Sequence, residues 1–377
     1  MSPNLEDLVI QKLFDLQNNA NRKYFDEGIF ESTRENSFWK YKRPDTNIFF
    51  TTLIVFYLQK IKDKVSVQSQ ELIEIICEKA KANYPKFKNK DGLNTYNFFK
   101  TVKSGHFPHG NIMHRFEHFK IPDDVDDTAF IYRTLPHSTS DALWLQQKLA
   151  KHANLSTKKN THTFKEYQNL RAYSTWFGKN MYVEFDVCIL SNILSSLLSF
   201  GLTLDQHGQD SILYIKDVIL SNKHIDYPFR VAHCYPRTIV IIYHVARLMA
   251  NHSIEILEDC RPILIKNILD LLKQKQHFLD EIVLIISLLN LDISYQFQLK
   301  SKIKILQNQI ESSLKTAPDF GEFYFFIGGM MTSFENKLSY YLAKQKYFHL
   351  YWRSEAFNWA IMAEFLVLTS TNEELIA

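Results

Sequence analysis

The run Ile121-Pro122-Asp123-Asp124-Val125-Asp126-Asp127-Thr128-Ala129-Phe130 places four carboxyl groups within five positions, directly ahead of an apolar helical pattern. Like charges this close do not all ionise cheaply where water is partly excluded. At least one carboxyl is therefore expected to keep its proton to higher pH, and the group to titrate as a set. A carboxylic acid still protonated near neutral pH is a proton donor to weak bases. The same oxygens are hard ligands that suit a divalent cation such as Mg2+. Helix initiation accounts for part of the run. Asp123 or Asp124 suits an N-cap, and acids in the first turn complement the helix dipole. Four carboxyls exceed that need, and perturbed carboxyls concentrate at active sites.

Helices must position this run. Glycine and proline number only ten each, and strict two-residue alternation is scarce. Six strongly apolar helices are expected over roughly 46–62, 124–136, 184–200, 235–250, 278–292 and 354–369. More amphipathic helices are expected over roughly 4–20, 67–84, 138–152, 206–222, 254–274 and 297–314. The first class is apolar nearly all round, as in Ile282-Val283-Leu284-Ile285-Ile286, and belongs in an interior. The second carries a polar side, as Lys266, Asn267, Asp270 and Lys273 illustrate. Their alternation predicts one all-α domain over 1–377, a single (α/α)6 toroid of six inner and six outer helices. A helix bundle or a helical solenoid is the alternative.

The apolar helices begin with polar or charged residues: Asp45, the 123–127 run, Glu184 with Asp186, Arg237, Asp280 with Glu281, and Glu355. Capping explains each acid singly. If the helices run parallel, these ends converge on one mouth above an aromatic floor, a normal site geometry. Two long connections, about 85–122 and 153–183, read as mouth loops. The first carries His106, His109, His114 and His118, read as surface or lid residues. The second carries Trp176, Phe177 and Tyr182. The candidate substrate-binding set is Trp176, Phe177, Tyr182, Glu184, Asp186, His233, Arg237 and Glu355. His233 would orient an acid or assist proton transfer, or sit at a cap or core edge. Arg237 would grip a diphosphate or carboxylate, or pair with Glu184 or Asp186.

Asp124-Val125-Asp126-Asp127-Thr128-Ala129 resembles the DxDDTA signature of class II terpene cyclases of the squalene–hopene cyclase type. The resemblance covers six residues. It implies an α/α-barrel and proton-initiated cyclisation of a small-molecule isoprenoid substrate. Asp126 would be the proton donor, with Asp124 and Asp127 orienting it and sustaining its acidity. Aromatic faces would stabilise the carbocations that follow. No metal or other cofactor is required for that step in the family. Those enzymes place the site between two barrels, and this chain has room for one. A single-barrel member would enclose its substrate alone or with a second subunit, as in a homodimer.

Other readings of the same residues stand beside this one. Asp186-x-Cys188 with His244 or His252 resembles the zinc site of protein prenyltransferases, although a buried, inert Cys188 is the preferred reading. Asp126 or Asp127 with Glu184, Asp186 or Glu355 would serve a carbohydrate-active (α/α)6 enzyme as an acid/base pair. A non-catalytic toroid acting as a binding module would need the acids only as caps. A net charge of +3, without a block of like charges, gives no electrostatic case for nucleic acid. Neither a P-loop nor a Gly-x-Ser-x-Gly elbow is present. Four cysteines without a CxxC pair, behind an acidic and polar N-terminus, read as free thiols in a reducing, cytoplasmic setting. Phe323-Tyr324-Phe325-Phe326-Ile327 is the segment suited to peripheral membrane contact, unless it is core.

Overall fold

A computed structural model describes residues 4–101, 105–116, 120–178, 181–316, 320–321, 323–329 and 337–370. Among them the chain is mostly helical. The helices are α1 (Leu5–Asn18), α2 (Phe49–Ile61), α3 (Val67–Lys81), α4 (Val125–Thr134), α5 (Thr139–His152), α6 (Val187–Ser199), α7 (Gln206–Leu220), α8 (Lys223–Asp226), α9 (Pro228–Val231), α10 (Thr238–Asn251), α11 (Arg261–Leu272), α12 (Phe278–Leu291), α13 (Tyr295–Lys315), α14 (Lys337–Ala343) and α15 (Glu355–Ser370). The strands are β1 (Thr33–Asn36), β2 (Tyr41–Pro44), β3 (Ile327–Gly329) and β4 (His349–Arg353). Each expected helical segment is helical, although Glu255–Cys260 forms a 3-10 turn ahead of α11.

The two predicted helix classes separate in space. In α2 only Gln59 and Lys60 escape burial, whereas α11 buries only Leu264 and Ile268. α2 packs on α4, α4 on α6, α6 on α10, α10 on α12, α12 on α15, and α15 returns to α2. The amphipathic helices lie against these: α1 on α15, α3 on α2, α5 and α7 on α6, α11 on α12, and α13 on α12 and α15. Local chemistry starts the helices. The Asp124 and Asp186 side chains cap α4 and α6, and Ser138 with Asp141 forms a capping box on α5. No helix among the described residues is long and apolar enough to cross a membrane. The four cysteines are free.

The mostly helical chain agrees with the all-α expectation, to which it adds a small four-stranded antiparallel sheet in the order β2-β1-β4-β3. Its strands are three to five residues long, and Thr33-Arg34-Glu35-Asn36 and Ile327-Gly328-Gly329 carry no readable strand pattern. The sheet brings residues near both ends of the chain together through Thr33 opposite Arg353. Beneath it Arg34 Nη1 meets Asp45 Oδ1 at 3.2 Å, and Trp352 Nε1 donates to Asp45 Oδ2 at 2.8 Å. Burial pushes the Asp45 carboxyl up despite the guanidinium. Gly328 allows β3 to lie on the Trp352 ring, because a Cβ there would stand 2.5 Å from Cζ3 and 2.7 Å from Cη2. Gly328→Ala is expected to cost about 1–3 kcal/mol of stability through this overlap, read from chemical denaturation. An unchanged midpoint would mean that β3 is not held against the ring.

Candidate active site

Both long connections converge on the start of α4. The Asp124 backbone N–H donates to the Tyr96 carbonyl at 2.8 Å, and Val125 N–H to the Thr175 carbonyl at 3.3 Å. Phe177 N–H reaches the Asp123 carbonyl at 3.3 Å, and Tyr96 N–H reaches Thr128 Oγ1 at 3.0 Å. His106 Nδ1 accepts from Ile121 N–H at 3.2 Å, and His109 Nε2 lies 3.0 Å from Thr46 Oγ1. His114 is exposed, and His118 lies outside the described residues.

The four acids divide by environment. Asp123 accepts from Asn89 and from Thr95 Oγ1 (2.5 Å). Asp124 is the cap, its Oδ1 accepting from the N–H groups of Asp126 (2.7 Å) and Asp127 (3.0 Å). Burial, reinforced by the Asp126 charge, pushes its carboxyl up to about 7. Asp126 and Asp127 lie beyond what capping uses. Asp126 Oδ1 accepts from Asn192 Nδ2 at 2.6 Å and its Oδ2 from the Tyr235 hydroxyl. Burial raises it to about 6, against the opposing pull of those two donors and of Arg247. Both oxygens of Asp127 are buried without a hydrogen-bond partner among the described residues. Burial, then Asp124, then Asp126 hold this carboxyl well above its usual range.

The frame around Asp126 comes from polar residues set into the apolar helices. Arg247 donates Nη2 to Asn192 Oδ1 and Nη1 to Tyr57 OH (3.2 Å). The Tyr243 hydroxyl joins Tyr57 OH at 2.9 Å and Glu364 Oε2 at 2.7 Å, and Lys60 closes the chain on Glu364 Oε1 at 2.8 Å. The Arg247 guanidinium also lies over the Phe56 ring at 5.3 Å and the Phe130 ring at 5.6 Å. None of these partners is in the set expected from sequence. Their signal was nevertheless present: Asn192, Arg247 and Glu364 lie within buried, mostly apolar helices, and a polar group there must find an internal partner.

Aromatic rings close the space beside Tyr235. Its ring lies 6.4 Å from Phe49, 6.3 Å from Phe325, 6.3 Å from Phe326 and 4.9 Å from His244. Phe323, Phe325, Phe326 and Ile327 are all buried. Of the two readings of this segment, membrane contact and core, the burial of these side chains agrees with core. Ile327 N–H donates to the Cys234 carbonyl at 2.8 Å, and Arg237 Nη1 to the Tyr324 carbonyl at 2.7 Å, pinning the segment across the helix ends. A hollow of about 10 Å³ lies next to Asn192, Arg247, Phe130 and Ser195. It has room for about one water molecule.

The remaining candidates separate into distinct places. Glu184 Oε1 lies 2.8 Å from His233 Nδ1, and its Oε2 accepts from Trp176 Nε1 at 3.1 Å and Thr175 Oγ1 at 3.3 Å. Burial pushes Glu184 up, but His233 and these donors outweigh it and hold the carboxyl below its usual range. Asp186 accepts from the N–H groups of Cys188 (2.9 Å), Ile189 (3.3 Å) and Cys234 (2.9 Å), and burial raises it to about 7. Phe177 is buried edge-on to His152, and Tyr182 meets His162. Arg237 pairs with Asp280 at 2.5 Å, not with Glu184 or Asp186, because both of those carboxylates already have donors. Glu355 lies in a surface cleft with Lys12, Asp15 and Glu31, with Lys12 Nζ at 3.4 Å. It is therefore set against α1, away from the acidic run. His244 Nδ1 donates to the Val240 carbonyl, His252 meets Ser195 Oγ, and Cys188 is buried. Among the described residues no three or more His, Cys, Asp or Glu side chains are grouped to hold a metal ion. At the acidic run the oxygens of Asp126 already face hydrogen-bond donors.

A pH prediction follows from Asp127. Its folded-state pKa is raised, so its contribution to stability is full below the unfolded value and is lost as pH rises through the folded value. Asp127→Asn removes that slope. Relative to wild type, the variant is expected to gain stability between about pH 5 and about pH 8 in denaturant titrations. An identical difference at both pH values would show that the buried carboxyl does not hold a proton.

No family model matches the chain, and no curated protein matches it.

Proposed function

We propose that the chain is a single (α/α)6 toroid that acts as a proton-initiated isoprenoid cyclase or a related isoprenoid-acting enzyme, with Asp126 as the general acid. The observation that carries this reading is the Asp126 carboxyl itself. It is buried, held between Asn192 and Tyr235, and Tyr235 stands among Phe49, Phe325 and Phe326. Protonated Asp126 donates to an alkene carbon, the Tyr235 hydroxyl and Asn192 amide stabilise the carboxylate left behind, and neighbouring ring faces stabilise the cation. The charge left on Asp126 in turn disfavours ionisation of Asp124 and Asp127, which keeps those two carboxyls protonated beside it. The cycle of six contacting apolar helices supports the toroid. Because Phe325 and Phe326 occupy the space beside Tyr235, substrate entry requires the Phe323–Ile327 segment to shift.

The filled interior favours a second reading, a non-catalytic toroid that binds a partner through its surface. The carbohydrate reading is weaker, since Glu184 and Asp186 are each occupied and Glu355 lies elsewhere. The test is incubation of the purified chain with geranyl, farnesyl and geranylgeranyl diphosphate and squalene, with and without Mg2+, followed by mass spectrometry. A cyclic product supports the cyclase. Unchanged substrate throughout transfers support to the binding module.

A further inference from the structure

The turn between β1 and β2 exposes Phe38 (61%) and Trp39 (55%), and Tyr347 beside it is 54% exposed. They form one cluster. The Phe38 ring lies 5.0 Å from Trp39 and 4.6 Å from Tyr347, both edge-on. Trp39 Nε1 donates to the Tyr347 carbonyl at 2.8 Å, and Asn36 Nδ2 donates to the carbonyls of Tyr347 (3.0 Å) and His349 (2.8 Å). The cluster is thus preorganised, with the indole N–H already satisfied. The Lys346–Phe348 turn packs on α14, which exposes Leu338 and Tyr341 at a three-residue spacing.

Charge follows the same surface. Lys40, Lys42, Arg43, Lys344 and Lys346 are exposed, and the stretches 37–44 and 338–348 contain no Asp or Glu. The neighbouring Glu35 is tied to Arg353 and Lys42. Against a chain total of +3, this is a local concentration of cations around exposed aromatics. Monomeric surfaces rarely present such a patch without a partner. Trp and Tyr favour the membrane–water interface, and juxtaposed Lys and Arg are drawn to anionic headgroups.

We propose that the β1–β2 turn and the 338–347 segment form a docking surface for an anionic phospholipid bilayer, with Phe38 and Trp39 entering the interface and Lys40, Lys344 and Lys346 meeting the headgroups. This proposal is independent of the chemistry at Asp126. A second copy of the chain is a poor occupant because the patch would meet its own charge. A single-stranded nucleic acid would need open ring faces for stacking, and the Phe38 ring is contacted edge-on by two neighbours.

The test is flotation of the full chain with phosphatidylcholine vesicles, with and without phosphatidylserine, at low and high salt. Binding is expected only with phosphatidylserine and is weakened by salt. Lys344→Gln with Lys346→Gln should weaken it about 25-fold, about fivefold per cation. Phe38→Ser should weaken it without changing the salt dependence. All three positions are exposed, so folding is retained and is checked by circular dichroism. Absence of binding to anionic vesicles at low salt would overturn the proposal. So would binding that these variants leave unchanged, or capture of a single-stranded oligonucleotide in place of vesicles.

Discussion

Asp126→Asn is expected to lower turnover by at least about 10²-fold while leaving the fold intact, because general acid catalysis typically contributes about 10²–10⁴-fold. Asparagine keeps the shape of the side chain. Its carbonyl can accept from Asn192, and its amide can donate to the Tyr235 oxygen, so both neighbours retain a partner. It has no acidic proton to give. In the wild type, activity should fall as pH rises above about 6, where burial has placed the Asp126 carboxyl and beyond which the donor form is depleted. The variant should lack that limb. Steady-state rates with whichever isoprenoid is turned over, alongside thermal melts of both proteins, separate the chemical effect from a structural one. Retained turnover would remove Asp126 from the mechanism.

Arg247→Leu is expected to destabilise the protein by about 3–5 kcal/mol, the range for breaking a buried charged network by deleting one member. The Arg247 side chain is nearly fully buried and supplies donors to Asn192 and Tyr57. Its loss leaves the Asn192 carbonyl unpaired and withdraws the cation that opposes the burial of Asp126. Leucine also gives up the contacts with the Phe56, Phe130 and Tyr243 rings. Glu364 keeps Lys60 and Tyr243, which limits the damage at that end. Urea denaturation read by circular dichroism gives the difference directly. A loss below about 1 kcal/mol would mean that the network relaxes without it.

Periodicity exposed most of the helical frame because burial is what sets it. α2, α10 and α12 are apolar around the whole circumference, and they lie where such helices must lie. The sheet stayed hidden because its strands are as short and polar as Tyr41-Lys42-Arg43-Pro44, and its central pairing joins residues more than 300 positions apart in the chain, as with Thr33 and Arg353. At the site, the crowding of acids in one turn pointed to perturbed carboxyls, and Asp124 and Asp126 are both raised by burial. The assignment of partners did not follow from spacing. Arg237 and Glu184 lie near helix starts in the sequence, yet Arg237 meets Asp280 and Glu184 meets His233. In the aromatic segment Phe323–Ile327 the side chains of Phe323, Phe325, Phe326 and Ile327 are buried, whereas Phe38 and Trp39 in the basic turn are exposed. Local hydrophobicity does not say which side of a chain faces water; the packing of distant elements does.

Deuterium incorporation tests the central claim most directly. The Asp126 proton exchanges with solvent, so turnover in D2O should deliver one solvent deuteron to carbon in each cyclic product molecule, and mass spectrometry should show that label. The account predicts labelled product from the wild type and at least about 10²-fold less of it from Asp126→Asn in the same time. Unlabelled cyclic product, or as much labelled product from the variant, would contradict it.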